Sequence, residues 1–258
     1  MIRLIVFAFA IGLPLAGNAF AQDVCKLTPI GTATVAAVRD GRTMSLADGR
    51  ILRLAGLEVT SASRAALQRL ADGKRLRLET LGADHDRYGR LVAFAYAAGG
   101  KVSLQQALLA AGEARVGPRV GDRACAGPLL EAEATARAGR RGIWADPRFL
   151  PIKAGNLTRL RAESGRFALV EGKVLSVHPS GGTIYLNFGR RWTRDFSVII
   201  LRRLQRKFAA TGIDPLQLAG RQVRVRGIVE MRRGPVIEAE APEQIEFADG
   251  PSGLNKDR

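Results

Sequence analysis

The chain has 258 residues and a strongly basic composition, with 40 Lys and Arg against 24 Asp and Glu and a formal net charge of +16. The charge is spread over both halves, +7 in residues 22–150 and +8 in residues 151–258, which excludes a basic tail as its source. With two Cys in all, and with His85 far from His178, the composition also argues against a four-ligand zinc site.

The first residues predict a secretory signal. Arg3 provides a positive start, Leu4–Leu15 is an apolar stretch, and Ala19–Ala21 gives the small-x-small pattern of a cleavage site. We therefore assign residues 1–21 to a signal peptide. The alternative is a retained membrane anchor, but the stretch is short for a span of about 20 residues. Removal of the signal leaves a chain with no stable membrane insertion, in the periplasm or secreted.

Cys25 and Cys125 are the only cysteines of the chain. In the oxidising compartment that an exported chain reaches, such a pair more often forms a disulfide than two free thiols. The sequence therefore predicts a Cys25–Cys125 bridge.

Residues 22–146 are predicted to form a first domain of short strands and helices. Asp48-Gly49 between two strand-like runs is a strong hairpin signal. The predicted strands are 32–38, 43–46, 50–55, 74–80 and 91–97, and the predicted helices are 63–71, 103–112 and 129–140. Five strands with a helix between the third and the fourth are typical of an OB-type Greek-key barrel. The predicted fold class is thus mainly β with helices (α+β).

The remaining residues are predicted to form a second, similar unit. Residues 147–164 contain Pro147, Pro151 and Gly155 and read as a linker, and residues 165–248 as an OB-like β domain. Its predicted strands are 167–177, 183–188, 196–200, 221–231 and 235–239, with a helix over 201–211. The polar residues 249–258 are predicted to be disordered.

Several motifs of the first domain occur in an order that resembles the thermonuclease (staphylococcal-nuclease-like) family. They are VRDGRTMSLADGRILRLAGLEV (38–59), DRYGRLVAFAY (86–96), VSLQQALLAAGEARV (102–116) and LLEAEATARAGRRGIWA (129–145). The resemblance implies an OB-fold barrel and Ca²⁺-dependent hydrolysis of DNA and RNA phosphodiesters.

The resemblance also implies a phosphate site built on two arginines. Arg53 matches the arginine that precedes the metal loop, and Arg90 matches the arginine that closes the DRYGR motif, whose Tyr88 we also assign to substrate binding. Two guanidinium groups form bidentate hydrogen bonds with phosphoryl oxygens and stabilise the additional charge of a transition state. An ordinary solvated arginine on a strand or loop is the alternative for both.

The metal and base positions depart from the family pattern. The usual Asp-Gly-Asp-Thr is here Asp40-Gly41-Arg42-Thr43, so a cation replaces a metal-binding carboxylate. The next ligand is Glu58 instead of Asp, and Thr60-Ser61 replaces the Pro-Glu that supplies the general base. Because Ca²⁺ depends on carboxylate ligands, we expect Glu58 to pair with Arg42.

Two consequences follow for these positions. Asp40 is expected to shape the turn, so it and Glu58 are weak metal candidates, and Ca²⁺ is expected only if the protein is a nuclease. Arg42, by contrast, joins Arg53 and Arg90 as a phosphate-binding residue.

In the second domain, aromatic residues alternate with arginines between Tyr185 and Phe196. OB-folds bind single strands by stacking bases on aromatic side chains beside a cationic groove. We expect Phe188 and Phe196 to lie in the core, whereas Trp192, between arginines in a predicted loop, is a candidate for binding nucleic acid.

Three functions fit these observations. The first is an exported protein that binds DNA or RNA and has lost most or all hydrolysis. The second is an active nuclease that uses rearranged ligands such as Asp40, Glu58 or Asp86. The third is an envelope protein that binds an anionic polymer or another protein. Charge alone does not decide for nucleic acid, because 33 of the 40 basic residues are Arg, a bias that a GC-rich genome also produces.

Overall fold

The structure, a computed structural model, describes residues 24–83 and 85–248. The predicted signal peptide, residues 1–21, and the predicted disordered tail, residues 249–258, lie outside the described residues. In the part of the chain that is described, no helix combines the length and the apolar character needed to span a membrane.

The first unit is built on a closed five-stranded barrel with the strand order β1-β2-β3-β6-β5. The strands of this unit are β1 (Thr28–Val38), β2 (Thr43–Leu46), β3 (Ile51–Leu54), β4 (Leu57–Val59), β5 (Arg75–Thr80), β6 (Leu91–Ala97) and β7 (Ala114–Val116). Strand β3 runs parallel to β6, and the other pairs of the barrel are antiparallel. Side chains alternate along a strand, so Leu52 and Leu54 are buried in the barrel while Arg53 is only partly buried.

The helices of the first unit are α1 (Ser63–Ala71), α2 (Leu104–Ala110) and α3 (Arg123–Ala138). Helix α3 begins at Arg123, and the prediction of a start at Leu129 was wrong. Asp122 caps the helix by accepting a hydrogen bond from the Cys125 backbone N at 3.0 Å. The helix continues through Pro128, which removes one backbone hydrogen bond, because Cys125, Ala126, Leu129 and Leu130 are buried in the core of the first unit. The Cys25–Cys125 disulfide, which the structure confirms, joins this helix to the chain just before β1.

The second unit contains a further set of strands and short helices. They are β8 (Ile152–Lys153), α4 (Leu157–Ala162), β9 (Phe167–Lys173), β10 (Ser176–Ser180), β11 (Thr183–Asn187), β12 (Ser197–Leu201), α5 (Gln205–Ala209), β13 (Gln222–Ile228), β14 (Glu230–Met231), β15 (Pro235–Glu238) and β16 (Ile245–Phe247). Two sheets, β10-β11-β12-β15-β14 and β16-β13-β9-β8, enclose one hydrophobic core. Strand β12 runs parallel to β15, as β3 does to β6.

The strands of the second unit are arranged in the same order around their core as the strands of the first barrel. Strands β9 and β10 are one bent run of chain, as are β13 and β14, and the buried residues Val174 and Val229 lie at the bends. Because β13 pairs with β9, the five runs of chain form a ring of OB type. The predicted single strands 167–177 and 221–231 each divide at these bends.

Residues 147–164, expected to be a linker, form part of the second unit. Strand β8 pairs in parallel with β9, and Ile152, Ala154 and Leu160 lie in the core of the second unit. The prolines and the glycine of this segment lie in short turns. In the 3₁₀ turn at Pro147–Phe149, the Asp146 side chain accepts a hydrogen bond from the Arg148 backbone N.

The two units meet at a buried cluster of charges. The side chain of Arg226 on β13 is completely buried; it donates to Glu133 of α3, at 3.2 and 2.7 Å, and to the Val116 carbonyl oxygen at 2.9 Å. It also pairs with Glu246 of β16. Glu243 accepts hydrogen bonds from the backbone N of Val120 and Gly121. These contacts fix the second unit against α3, β7 and the segment between them.

Candidate phosphate-binding site

Strand register brings three arginines together on the outside of the barrel. Arg53 on β3 lies opposite Thr43 of β2, the residue after Arg42, and opposite Val92 of β6, two residues after Arg90. The Leu54 backbone N donates to the Arg42 carbonyl oxygen at 2.7 Å and holds the two strands in this alignment. The structure thus places Arg42 and Arg90 on either side of Arg53.

Arg53 differs from its neighbours because its side chain has no hydrogen bond or ion pair within residues 24–83 and 85–248. Burial, followed by repulsion from Arg42 and Arg90, holds the pKa of the Arg53 guanidinium below its usual value; attraction to Asp86 and Asp40 only partly opposes this. The group nevertheless remains charged at any physiological pH, because a guanidinium is not deprotonated in proteins. An incoming anion would relieve the repulsion among the three cations.

Arg42 lies beside Glu58, the residue at the family's metal-ligand position, and binds the oxygen atoms there. Its Nη1 donates to the Leu57 carbonyl oxygen at 2.6 Å and lies 3.3 Å from Glu58 Oε2. Both side chains of this ion pair are about a quarter exposed. The guanidinium therefore takes up oxygen ligands that a cation at this position would otherwise use.

Glu58 also has a second cationic neighbour that sequence reasoning missed. Strand β4 pairs with β7, and in this register Glu58 lies opposite Arg115. The Arg115 guanidinium lies 4.7 Å from the centre of the Phe167 ring and 5.5 Å from that of Phe149. Burial lowers the pKa of Arg115, and attraction to Glu58 opposes that shift. No sequence motif connects these strands, which are more than 50 residues apart.

Asp40 stabilises the turn between β1 and β2. Its Oδ1 accepts a hydrogen bond from the Arg42 backbone N at 2.8 Å, the arrangement of an Asx turn. One of its carboxylate oxygens is therefore already used by the backbone.

Arg90, Asp86 and Tyr88 form a compact turn at the start of β6. Arg90 Nε donates to Asp86 Oδ2 at 2.8 Å, and Asp86 Oδ1 accepts from the backbone N of Tyr88 and of Arg90. Desolvation tends to raise the pKa of Asp86, but these hydrogen bonds outweigh it and the pKa lies below its ordinary value. The Tyr88 ring is exposed, with the Arg90 guanidinium 5.1 Å from its centre.

The face that carries Arg42, Arg53 and Arg90, here called the arginine face, opens into a cleft of about 440 Å³ between the two units. Arg42, Arg53 and Glu58 line one wall, with Arg119 nearby, and Glu230, Glu238 and Glu240 of the second unit line the other. Arg119 Nε donates to Glu240 at 2.8 Å, and Arg232 pairs with both Glu230 and Glu238. The acidic wall is thus largely neutralised, which leaves Arg53 as the unpaired charge of the described cleft lining.

Trp192 lies outside this cleft, on the loop between β11 and β12. Its side chain is 61% exposed, and the Arg233 guanidinium lies 5.6 Å from the centre of its ring. Phe196, in contrast, is buried, and the partly buried Phe188 packs on the same core with its ring centre 5.0 Å from that of Phe196. The expected core position of both phenylalanines is confirmed.

The residues at the family's metal position do not fit Ca²⁺, which requires six to eight oxygen ligands. Glu58 and the Leu57 carbonyl oxygen are engaged by Arg42, and Asp40 by the backbone. Within the described residues, no group of three or more His, Cys, Asp and Glu side chains is placed to hold a metal ion.

Comparison with known proteins identifies one part of the chain. A family model described as staphylococcal nuclease homologue matches residues 58–146. No curated protein matches the chain. The matched range begins at Glu58 and ends just after α3, so it contains Arg90 but neither Arg42 nor Arg53. Together with the OB-type barrel, this match shows that residues 58–146 are a thermonuclease-like segment of the chain.

Proposed function

We propose that this protein binds the phosphate backbone of nucleic acid on the face formed by Arg42, Arg53 and Arg90, without a metal ion. The observation that carries the proposal is the position of Arg53, a partly buried cation without a partner among the described residues, between two further arginines. A phosphodiester supplies the negative charge and the acceptor oxygens that this arrangement lacks.

The paired arginines keep donors for such a ligand. Arg42 uses only Nη1 in its contacts with Leu57 and Glu58, and Arg90 uses Nε and Nη2 on Asp86. Since a guanidinium has five N–H donors, Arg42 retains Nε and Nη2 and Arg90 retains Nη1. Phosphate binding therefore does not require the existing ion pairs to break.

Loss of hydrolysis is part of the same proposal. Glu58 lies between Arg42 and Arg115, and Ser61 stands where the resemblance places a general-base carboxylate. A hydroxyl does not accept a proton from water at neutral pH, and general-base catalysis typically contributes a factor of 10² to 10⁴. The rearranged ligands of an active nuclease, Asp40, Glu58 and Asp86, each already hold an arginine or a backbone N–H.

Export to the periplasm or beyond belongs to the proposal as well. It is supported by the Cys25–Cys125 disulfide, since such bonds persist in oxidising compartments, and by the signal-like residues 1–21. Nucleic acid, DNA or RNA, is the proposed partner there.

The test combines binding and cleavage in one assay. The purified protein is mixed with labelled DNA or RNA in Ca²⁺, Mg²⁺, Mn²⁺ or EDTA, and both complex formation and strand breaks are measured over a range of salt concentrations. We expect binding in EDTA that weakens with salt, and no cleavage. Removal of two phosphate contacts in Arg53→Ala/Arg90→Ala should lower the salt slope by about 2.

A charge-matched control is Arg206→Ala/Lys207→Ala, which removes two exposed cations from α5 without touching the cleft. It should bind almost as well as the unmodified protein. Metal-dependent cleavage that disappears in Arg53→Ala/Arg90→Ala would establish the active nuclease instead. Binding to neither DNA nor RNA would favour an anionic envelope polymer.

A further inference from the structure

A second cationic surface lies on the second unit, at one end of its larger sheet. It consists of the loop 189–195 between β11 and β12 and the turn 232–234 between β14 and β15. The side chains of Arg190, Arg191, Arg194 and Arg233 are exposed there and have no carboxylate partner among the described residues. Trp192 stands among them, and we call this group of five residues the Trp192 patch.

The two segments of the patch are packed together. A Cβ on Gly234 would come within 2.8 Å of the Asp195 carbonyl oxygen and 2.9 Å of the Arg194 backbone, so the two chains touch at this point. Asp195 turns inward, and its Oδ2 accepts from the Arg191 backbone N at 2.8 Å. The Asp195 carboxylate therefore binds the backbone and not an arginine side chain, and Arg233 contacts one part of the Trp192 ring.

The patch also lies next to the cleft. Arg232 in the same turn pairs with Glu230 and Glu238, which both line the cleft opposite Arg53. Arg233 is three positions after Glu230, so their Cα atoms lie at most about 10 Å apart at roughly 3.3 Å per residue. A bound chain that leaves the cleft along this hairpin therefore passes the patch.

We infer that the Trp192 patch binds single-stranded nucleic acid by stacking a base on Trp192, while the surrounding arginines hold the adjacent phosphates. The inference rests on the proposed function for the choice of nucleic acid as the ligand. It adds a preference for single-stranded over double-stranded nucleic acid. In a duplex the base faces are covered by their neighbours, so an exposed indole gains a stacking partner only from an unpaired base. Stacking on an aromatic side chain accepts any base, so the patch selects for strandedness and not for sequence.

The tryptophans of the chain make the contact directly measurable. The chain has two Trp; Trp144 is completely buried at the junction of the units, whereas Trp192 is 61% exposed. A base that stacks on Trp192 quenches its emission and leaves that of Trp144 unchanged. We therefore titrate the protein with an oligo(dT) of about 16 nucleotides, the upper end of an OB-fold site, and with the matching duplex.

The expected results are quenching by the single strand and little or none by the duplex. Trp192→Ala should abolish the quenching and weaken single-strand binding about 5- to 150-fold, the effect of losing one stacked base, with duplex binding unchanged. Trp192→Phe should restore part of the affinity. Leu216→Ala, which truncates an exposed apolar side chain elsewhere on this unit, serves as the control and should bind normally.

The outcomes separate this inference from the proposed function. Single-strand binding with unchanged Trp192 emission, or an equal loss for both strand forms in Trp192→Ala, would overturn stacking while leaving the arginine face in place. Quenching and affinity that persist in Arg53→Ala/Arg90→Ala would support stacking and contradict the proposed phosphate site. Absence of any single-strand binding would overturn the stacking inference, and absence of duplex binding as well would overturn the proposed function.

Discussion

At the scale of single residues, the site is defined by what stands at position 42. A guanidinium there satisfies Glu58 and the Leu57 carbonyl oxygen permanently, whereas a divalent cation would do so only when bound. The positive charge therefore belongs to the chain itself, and its presence does not depend on the metal content of the surroundings. A carboxylate in place of the guanidinium at position 42 should therefore make the site depend on a metal ion again.

Arg42→Asp should create affinity for Ca²⁺. The change removes the competing cation, releases Glu58 from Arg42 and adds a carboxylate, and carboxylate charge sets Ca²⁺ affinity. We expect measurable Ca²⁺ binding by calorimetry in this variant and none in the unmodified protein, without recovery of hydrolysis because Ser61 supplies no base. Arg42→Ala, which removes the cation but adds no ligand, should bind Ca²⁺ far more weakly; equal binding by both variants would show that the carboxylate at position 42 is not a ligand.

The residues of the site were predictable only where a local motif contains them. Arg53 and Arg90 were predicted as site residues because they lie inside recognisable stretches, and the Asp40 turn followed from Asp-Gly spacing. Arg115 and Glu230 were missed, since each faces the site from a segment far away in sequence. A lone Arg or Glu in a short strand has no local signal that distinguishes a cleft wall from a solvated surface.

At the scale of elements, helix ends decide how α2 and α3 pack. Gly112, with φ +73°, ends α2, and its carbonyl oxygen accepts from the Ile143 backbone N at 2.9 Å. A Cβ at Gly112 would lie 2.1 Å from the Arg141 carbonyl oxygen. The backbone segments after α2 and after α3 thus approach so closely that only glycine fits.

Gly112→Ala should lower the free energy of unfolding by about 1–3 kcal/mol, because it adds left-handed strain to a backbone clash. Urea denaturation measures the change. Gly127→Ala is the matched control: this glycine lies inside α3 with nothing within 4 Å of the added Cβ, so a gain of about 0.5–1 kcal/mol is expected from helix propensity. A loss of stability in both variants would mean that the close approach at Gly112 is not the cause.

Element type was largely predictable, while the bends and the short strands were not. Strand β2 and helix α1 have the predicted bounds because turn and cap residues flank them. Strand β16 and the bend at Val229 depend on pairing with distant strands, and three-residue segments carry too little periodicity to be recognised. The start of α3 was missed because Gly127-Pro128 reads locally as a break, whereas burial of Cys125, Ala126, Leu129 and Leu130 in the core of the first unit keeps the helix intact.

At the scale of the whole molecule, the buried cluster around Arg226 holds the two units in one arrangement. Burial disfavours the charged form of Arg226, but attraction to Glu133 and Glu246 outweighs it, and the pKa of Arg226 lies above its ordinary value. The sequence could not predict this arrangement, because Arg226 occurs in an alternating strand and Glu133 on an amphipathic helix, where each reads as a solvated residue.

Arg226→Met should destabilise the protein by about 3–5 kcal/mol, since it leaves Glu133 buried without its main partner. Adding Glu133→Gln should recover much of this loss, because a side-chain oxygen remains to accept the Val116 backbone N–H, which Glu133 binds at 2.9 Å. Denaturant unfolding of the single and double variants forms a double-mutant cycle. If the two effects were simply additive, the charges would not act as one cluster.

The same cluster predicts how stability depends on pH. Burial tends to raise the pKa of Glu246, but attraction and hydrogen bonding by Arg226, with Arg137 and Arg224 nearby, hold it below its ordinary value. A carboxylate whose pKa is lowered by folding stabilises the protein above its unfolded pKa of about 4.3, and this contribution disappears as the pH falls through the lower folded value. Glu246→Gln should therefore be less stable than the unmodified protein from neutral pH down to about pH 5, and the difference should shrink below about pH 4. Urea unfolding across this range measures it, and a difference that stays constant with pH would show that Glu246 is not held ionised by Arg226.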